Sequence, residues 1–103
     1  MIKPTDIEDD AWAVINAAAD GDVAAMRRLL DHDPTLSRKG YFYTPPIHFA
    51  VREGHPEIVQ MLLDAGADPN RRNEDGYTPY TIAQTKAQNR VVELFDKRQP
   101  AKP

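Results

Sequence analysis

The chain contains no cysteine. That excludes a disulfide framework, a thiolate metal site and a cysteine nucleophile, and it leaves the redox compartment open. There is no run of about 18 apolar residues, the length a membrane-crossing helix needs. Residues 1–10 are acidic where a secretory leader is basic and then apolar, so the expected setting is the cytoplasm. The five glycines are scattered at positions 21, 40, 54, 66 and 76 instead of being gathered in a phosphate-cradling loop. The one serine, Ser37, has no His or Asp beside it for a nucleophilic triad. A basic excess is also missing: 13 Lys and Arg face 16 Asp and Glu, net −3, which argues against nucleic acid as the partner.

What is present is one small domain of 103 residues, 41% hydrophobic and 28% charged, an ordinary globular balance. The charge is uneven. Residues 1–36 hold three bases and eight acids, net −5, whereas residues 71–103 hold seven bases and four acids, net +3. The chain also matches itself at a shift of 33 residues. Ala17, Ala50 and Ala83 coincide, as do Met26, Val59 and Val92, and Leu29, Leu62 and Phe95. Ala25, Ile58 and Val91 keep the same register; Gly21 meets Gly54, and Pro46 meets Pro79. A fixed period of this length marks a stack of like units.

Each unit reads as two short helices. In unit two the first follows Thr44-Pro45-Pro46, where the threonine is expected to cap and proline suits the opening turn. It runs to Gly54. The second opens at Pro56-Glu57, with the acid at the positive end of the helix dipole. Its residues Ile58, Val59, Met61, Leu62 and Leu63 have helical spacing, and Gly66 supplies the C-terminal turn. No alternating apolar stretch suggests a strand, so the fold class is all-α.

Residues 54–70, Gly-His-Pro-Glu-Ile-Val-Gln-Met-Leu-Leu-Asp-Ala-Gly-Ala-Asp-Pro-Asn, resemble the second half of an ankyrin repeat. Residues 46–50 and 76–83 resemble its Gly-x-Thr-Pro-Leu-His-x-Ala first half. The resemblance implies a solenoid of three stacked helix-turn-helix repeats at about 10–37, 38–70 and 71–97. An acidic lead-in (1–9) precedes them and a disordered tail (98–103) follows. Departures fall where a stack ends. Unit one has Trp12-Ala13-Val14-Ile15 in place of the signature, and Trp12 is expected to cover the open end of the stack. Unit two has Tyr43 for the turn glycine and Pro45 for the threonine; unit three has Thr81 for the histidine and Ala87 for the inter-helix glycine. Asp96 aligns with Leu30 and Leu63, so the outer units read as polar caps. A short complete protein is expected, with the N-terminal piece of a longer ankyrin chain as the alternative.

His32, His48 and His55 lie in different sub-elements with no cysteine to assist, so no metal is expected. No cofactor and no enzymatic activity are expected either. The resemblance gives His48 a structural role as a hydrogen-bonding bridge between repeats. It also implies a module that binds another protein along its concave face and turn tips, as an adaptor, inhibitor or regulator, without membrane or nucleic acid. Carried over position by position, the partner-binding residues are Lys39, Tyr41, Phe42, Thr44, Arg52 and Glu53 in unit two. In unit three they are Arg72, Glu74, Asp75, Tyr77, Thr85 and Lys86. The aromatics Tyr41-Phe42-Tyr43 either fold onto the neighbouring repeat or form a partner hot spot. The chain is expected to be monomeric alone; the competing reading is a structural unit whose ends associate, the acidic first unit of one copy meeting the basic third unit of another.

Overall fold

The computed structural model describes residues 8–40 and 44–98. Six α-helices follow one another: α1 Asp9–Asp20, α2 Val23–His32, α3 Pro46–Arg52, α4 Pro56–Asp64, α5 Pro79–Thr85 and α6 Asn89–Arg98, with a 3-10 turn at Pro34–Arg38. No strand occurs among the described residues. The first helices of the three units (α1, α3, α5) pack side by side in one row, the second helices (α2, α4, α6) in another, and each first helix packs on its own second. This is the expected three-unit helical solenoid.

Local chemistry sets the helix ends. Asp9 and Asp10 occupy the first turn of α1, and the helix stops at Gly21, whose φ of 74° is open to glycine. Asp22 caps α2 by accepting from the Ala25 amide at 3.0 Å, a bond worth about 1 kcal/mol. Thr78 caps α5 through the Thr81 amide at 3.1 Å. Unit two differs from expectation here: its N-cap position is Pro45, which has no side-chain cap, and Thr44 stands one residue too early. With seven residues and no cap, α3 is far below the length at which a helix holds in water. It persists because Ile47, His48, Ala50 and Val51 are buried among its neighbours. The helical ends also move the expected boundaries by a residue: α1 begins inside the lead-in at Asp9, and α6 runs on to Arg98.

The main core is one band through all three units. Ala17, Ala50 and Ala83 are buried in line, small enough to let paired helices approach. Around them lie Val14, Ile47, Ile58, Val59, Leu62, Val91 and Phe95. The band ends at the third unit, where Tyr80 takes the place of Val14 and Ile47, and Asp96 that of Leu30 and Leu63. The Tyr80 hydroxyl donates to Asp96 Oδ1 at 3.0 Å while its ring meets Phe95 edge-on at 6.0 Å. The aligned apolar positions thus close with a polar pair, and that hydrogen bond raises the phenol's pKa above its ordinary value.

One repeat position carries strain. Gly21 (φ 74°) and Gly54 (φ 75°) are left-handed, and the equivalent Ala87 is forced to φ 54°. A left-handed alanine costs about 1–2 kcal/mol, partly offset by glycine's larger unfolded-state entropy. Ala87→Gly is therefore expected to raise stability by about 0.5–1 kcal/mol. Urea unfolding measures it; an unchanged or lower midpoint would show that the alanine is relaxed there.

Candidate interaction surface

The turn of the third unit is built around one side chain. Asn73 Oδ1 accepts from the amides of Asp75 (3.0 Å) and Tyr77 (2.9 Å). Its backbone amide donates to the Tyr77 carbonyl at 2.9 Å, and its carbonyl accepts from the Gly76 amide at 2.9 Å. Arg72 Nη1 donates to the Gly76 carbonyl at 2.9 Å, so the guanidinium braces the same loop. The short amide of Asn73 is suited to such turn closure. Tyr77 stands on this frame 52% exposed, and Arg72, Glu74 and Asp75 are exposed beside it in sequence.

The frame is tied to unit two by His48. Its ring is buried in α3, and Nε2–H donates to the Tyr77 carbonyl at 3.0 Å. This is the bridge between repeats that the resemblance implies. Burial holds the imidazole's pKa below its ordinary value, while the Tyr77 and Arg71 carbonyls pull the other way. A second bridge was not legible in the sequence. His55 Nε2–H donates to the Ala19 carbonyl at 3.0 Å, satisfying a C-terminal acceptor of α1. Gly21 makes room for that ring: a Cβ there would lie 2.6 Å from His55 Nδ1. The signal, in retrospect, is a left-handed glycine one position ahead of the residue that His55 repeats.

The other sequence-derived positions fall as follows. Arg52 and Glu53 are exposed at the end of α3; Arg52 Nε lies 3.5 Å from Glu53 Oε2, and its guanidinium sits 4.8 Å over the Phe49 ring. Thr85 and Lys86 are exposed at the equivalent positions of unit three. Lys39 is half-buried, with Nζ 3.8 Å from Glu8 Oε2, and Thr44 is half-buried. Tyr41 and Phe42, with Tyr43, lie outside the described residues. Their flanks approach closely, since a Cβ at Gly40 would collide with the Thr44 carbonyl oxygen. Only glycine permits that approach. Trp12 does not cover the open end. It packs on a second cluster, buried Ala11 and Ile15 with Phe49 of α3, and so belongs to the row of first helices. Chemistry that converges for catalysis is not evident: His48 and His55 are each engaged by a backbone carbonyl, and the described residues hold no group of three His, Asp or Glu able to share a metal. No described helix is long and apolar enough to cross a membrane.

Comparison with known proteins follows the same architecture. The family model for ankyrin repeats (many copies) matches residues 29–83, more than half the chain. The chain is 40% identical over 84 residues to the probable E3 ubiquitin-protein ligase XBOS33 of Oryza sativa subsp. japonica, covering 80% of this chain and 16% of that protein. It is 41% identical over 81 residues to the 2-5A-dependent ribonuclease of Mus musculus, covering 77% and 11%. A third similar protein is the serine/threonine-protein kinase VIK of Arabidopsis thaliana, 36% identical over 79 residues, covering 76% and 18%. The chain thus spans less than a fifth of the length of each of these relatives.

His48 generates a pH prediction with a definite sign. Its folded pKa lies below the ordinary value of 6.5. Under acid the unfolded chain therefore takes up a proton that the folded chain refuses. The stability is complete above about pH 6.5 and falls as the pH drops below it. His48→Gln keeps an amide donor for Tyr77 but cannot titrate, so it should lose less stability than wild type between pH 7.5 and 5.5. Parallel losses in urea unfolding at the two pH values would overturn the assignment.

Proposed function

The chain belongs to the ankyrin-repeat family, and from that premise we propose that it is a protein-binding module that engages one partner through its turn tips and the row of first helices. Ankyrin repeats are interaction modules, and proteins named as a ligase, a ribonuclease and a kinase each carry a stretch similar to this chain, which supports a role that does not depend on any one of those chemistries. The observation that carries the reading is Tyr77. Among the described residues it is the one large apolar side chain that stands mainly in solvent, and it does so on a turn fixed by Asn73, Arg72 and His48. A rigid aromatic with two rotatable bonds loses little entropy on contact, the property that enriches Tyr in binding hot spots.

Charged and polar groups complete the surface. Arg52 stacked on Phe49 presents a guanidinium whose apolar face is already covered. Glu53, Glu74, Asp75, Thr85 and Lys86 supply a mixed-sign surround, which favours a partner with both charges over a polyanion. Tyr41, Phe42, Lys39 and Thr44 extend the surface across unit two on the strength of their repeat positions. A second reading, one portion of a longer repeat-bearing chain, is favoured by the small share of each relative that the match covers. It changes the extent of the surface and leaves its nature as it is.

The test is calorimetry with a partner captured by the wild-type chain. Tyr77→Ala, and Tyr41→Ala with Phe42→Ala, should each weaken binding by at least about 2 kcal/mol with an unchanged helical signal. Arg27→Ala and Gln60→Ala, on the second helices, should leave affinity as it was. Intact binding by both aromatic variants, or its loss in the second-helix variants, would place the contact on another face.

A further inference from the structure

His48 is held by one of its two ring nitrogens. Nε2–H donates to the Tyr77 carbonyl, whereas Nδ1 is buried and has no hydrogen-bond partner among the described residues. The residue is 2% exposed, so solvent does not reach the second nitrogen where it stands. An orphan of this kind in a native core calls for a reason. The repeat supplies one. Pro45 and His48 align with Thr78 and Thr81, whose hydroxyl oxygens lie 2.9 Å apart. A side-chain oxygen at the first of these positions thus reaches the side chain three residues on. In unit two that position is proline, which has no side-chain donor or acceptor to offer.

The missing partner decides what protonation does. A neutral ring needs an acceptor only for its Nε2–H. An imidazolium adds a donor at Nδ1 with no acceptor bonded to it, and a charge with no counter-ion. The elements packed on α3 are α1, α4, α5 and the 3-10 turn, and none of their buried residues is ionisable. On α3 itself Arg52 is exposed against Phe49 and Glu53, and Arg72, Glu74 and Asp75 are exposed on the turn. Burial is the largest influence and keeps the ring neutral; the Tyr77 and Arg71 carbonyls favour the cation, and the Arg71 guanidinium opposes it. We propose that His48 is an acid-sensitive catch: on protonation the ring leaves its seat, its bond to the Tyr77 carbonyl breaks, and the turn comes loose from unit two. A released ring has the ordinary value of 6.5. The released form therefore gains up to about tenfold over the seated one between pH 7.5 and 5.5. The consequence for binding rests on Tyr77 being the contact proposed above: acid weakens the complex, and a bound partner keeps His48 neutral.

NMR on the whole chain without a partner tests the catch from about pH 8 to about pH 4.5. It follows the His48 ring and the Tyr77 carbonyl carbon, with helical circular dichroism as a control for folding. Both signals should move with one midpoint below 6.5, the carbonyl toward its unbonded position, while the helical signal stays. A carbonyl that stays put as His48 titrates, or moves further into its bonded position, would overturn the proposal. So would helical signal lost at the same midpoint. In His48→Gln the carbonyl should not move; His32 and His55 are unchanged there, so movement that persists also overturns it. Pro45→Thr places beside Nδ1 a hydroxyl able to accept from the cation, and should cut the carbonyl's displacement at least twofold. An equal displacement in that variant would overturn the role given to the orphan nitrogen. With a captured partner, wild-type affinity should fall by up to about tenfold from pH 7.5 to 5.5, and that of His48→Gln should fall less. A moving carbonyl with a flat affinity would leave the catch standing and remove Tyr77 as the contact.

Discussion

No unit of this chain can bury its own apolar face. A pair of helices of seven to twelve residues closes one side of a core and leaves another exposed, so the free energy of each unit depends on the next. Everything else in the structure follows from that dependence. Alanine recurs every 33 residues because helices must approach closely, and an uncapped seven-residue α3 survives because it is central. The last unit closes its aligned core positions with Tyr80 and Asp96.

Directional bonds add register to this non-directional burial. His48 reaches forward to the Tyr77 carbonyl and His55 reaches back to that of Ala19, so the middle unit is fastened to both neighbours. A buried bond of this type contributes about 0.5–1.5 kcal/mol, small beside the burial of a whole unit interface. Its larger effect is geometric. The His48 bond ends on the residue that the Asn73 turn presents, so the position of Tyr77 is set by a side chain two helices away in sequence. Stability and the proposed recognition surface share that linkage.

Much of this was legible in the sequence because a repeat multiplies its own evidence. Three aligned alanines and three aligned apolar triplets locate the core, and Pro46 and Pro79 place the starts of α3 and α5. The misreadings are positions where a residue's role depends on a neighbour in space. Thr44 looks like a cap, yet Pro45 takes that position and the threonine falls outside it. Trp12 looks like an end cover, yet Ala11, Ile15 and Phe49 draw it toward unit two. His55 looks like the start of a helix, and only the missing Cβ of Gly21 reveals why a ring stands there. Of the proposed binding positions, those of unit three could be placed on their turn and helix. Tyr41 and Phe42 fall outside the described residues, and their proposed place in the surface rests on repeat register alone.

The dependence of each unit on its neighbour is tested most directly by removing one. Residues 71–103 supply Ala83, Val91 and Phe95 of the shared core and the acceptor for His48. Residues 1–70 alone, followed by thermal unfolding with circular dichroism, should show no cooperative transition, or aggregate, where the whole chain melts in one step. A sharp transition of the shortened chain near the temperature of the full one would contradict the account.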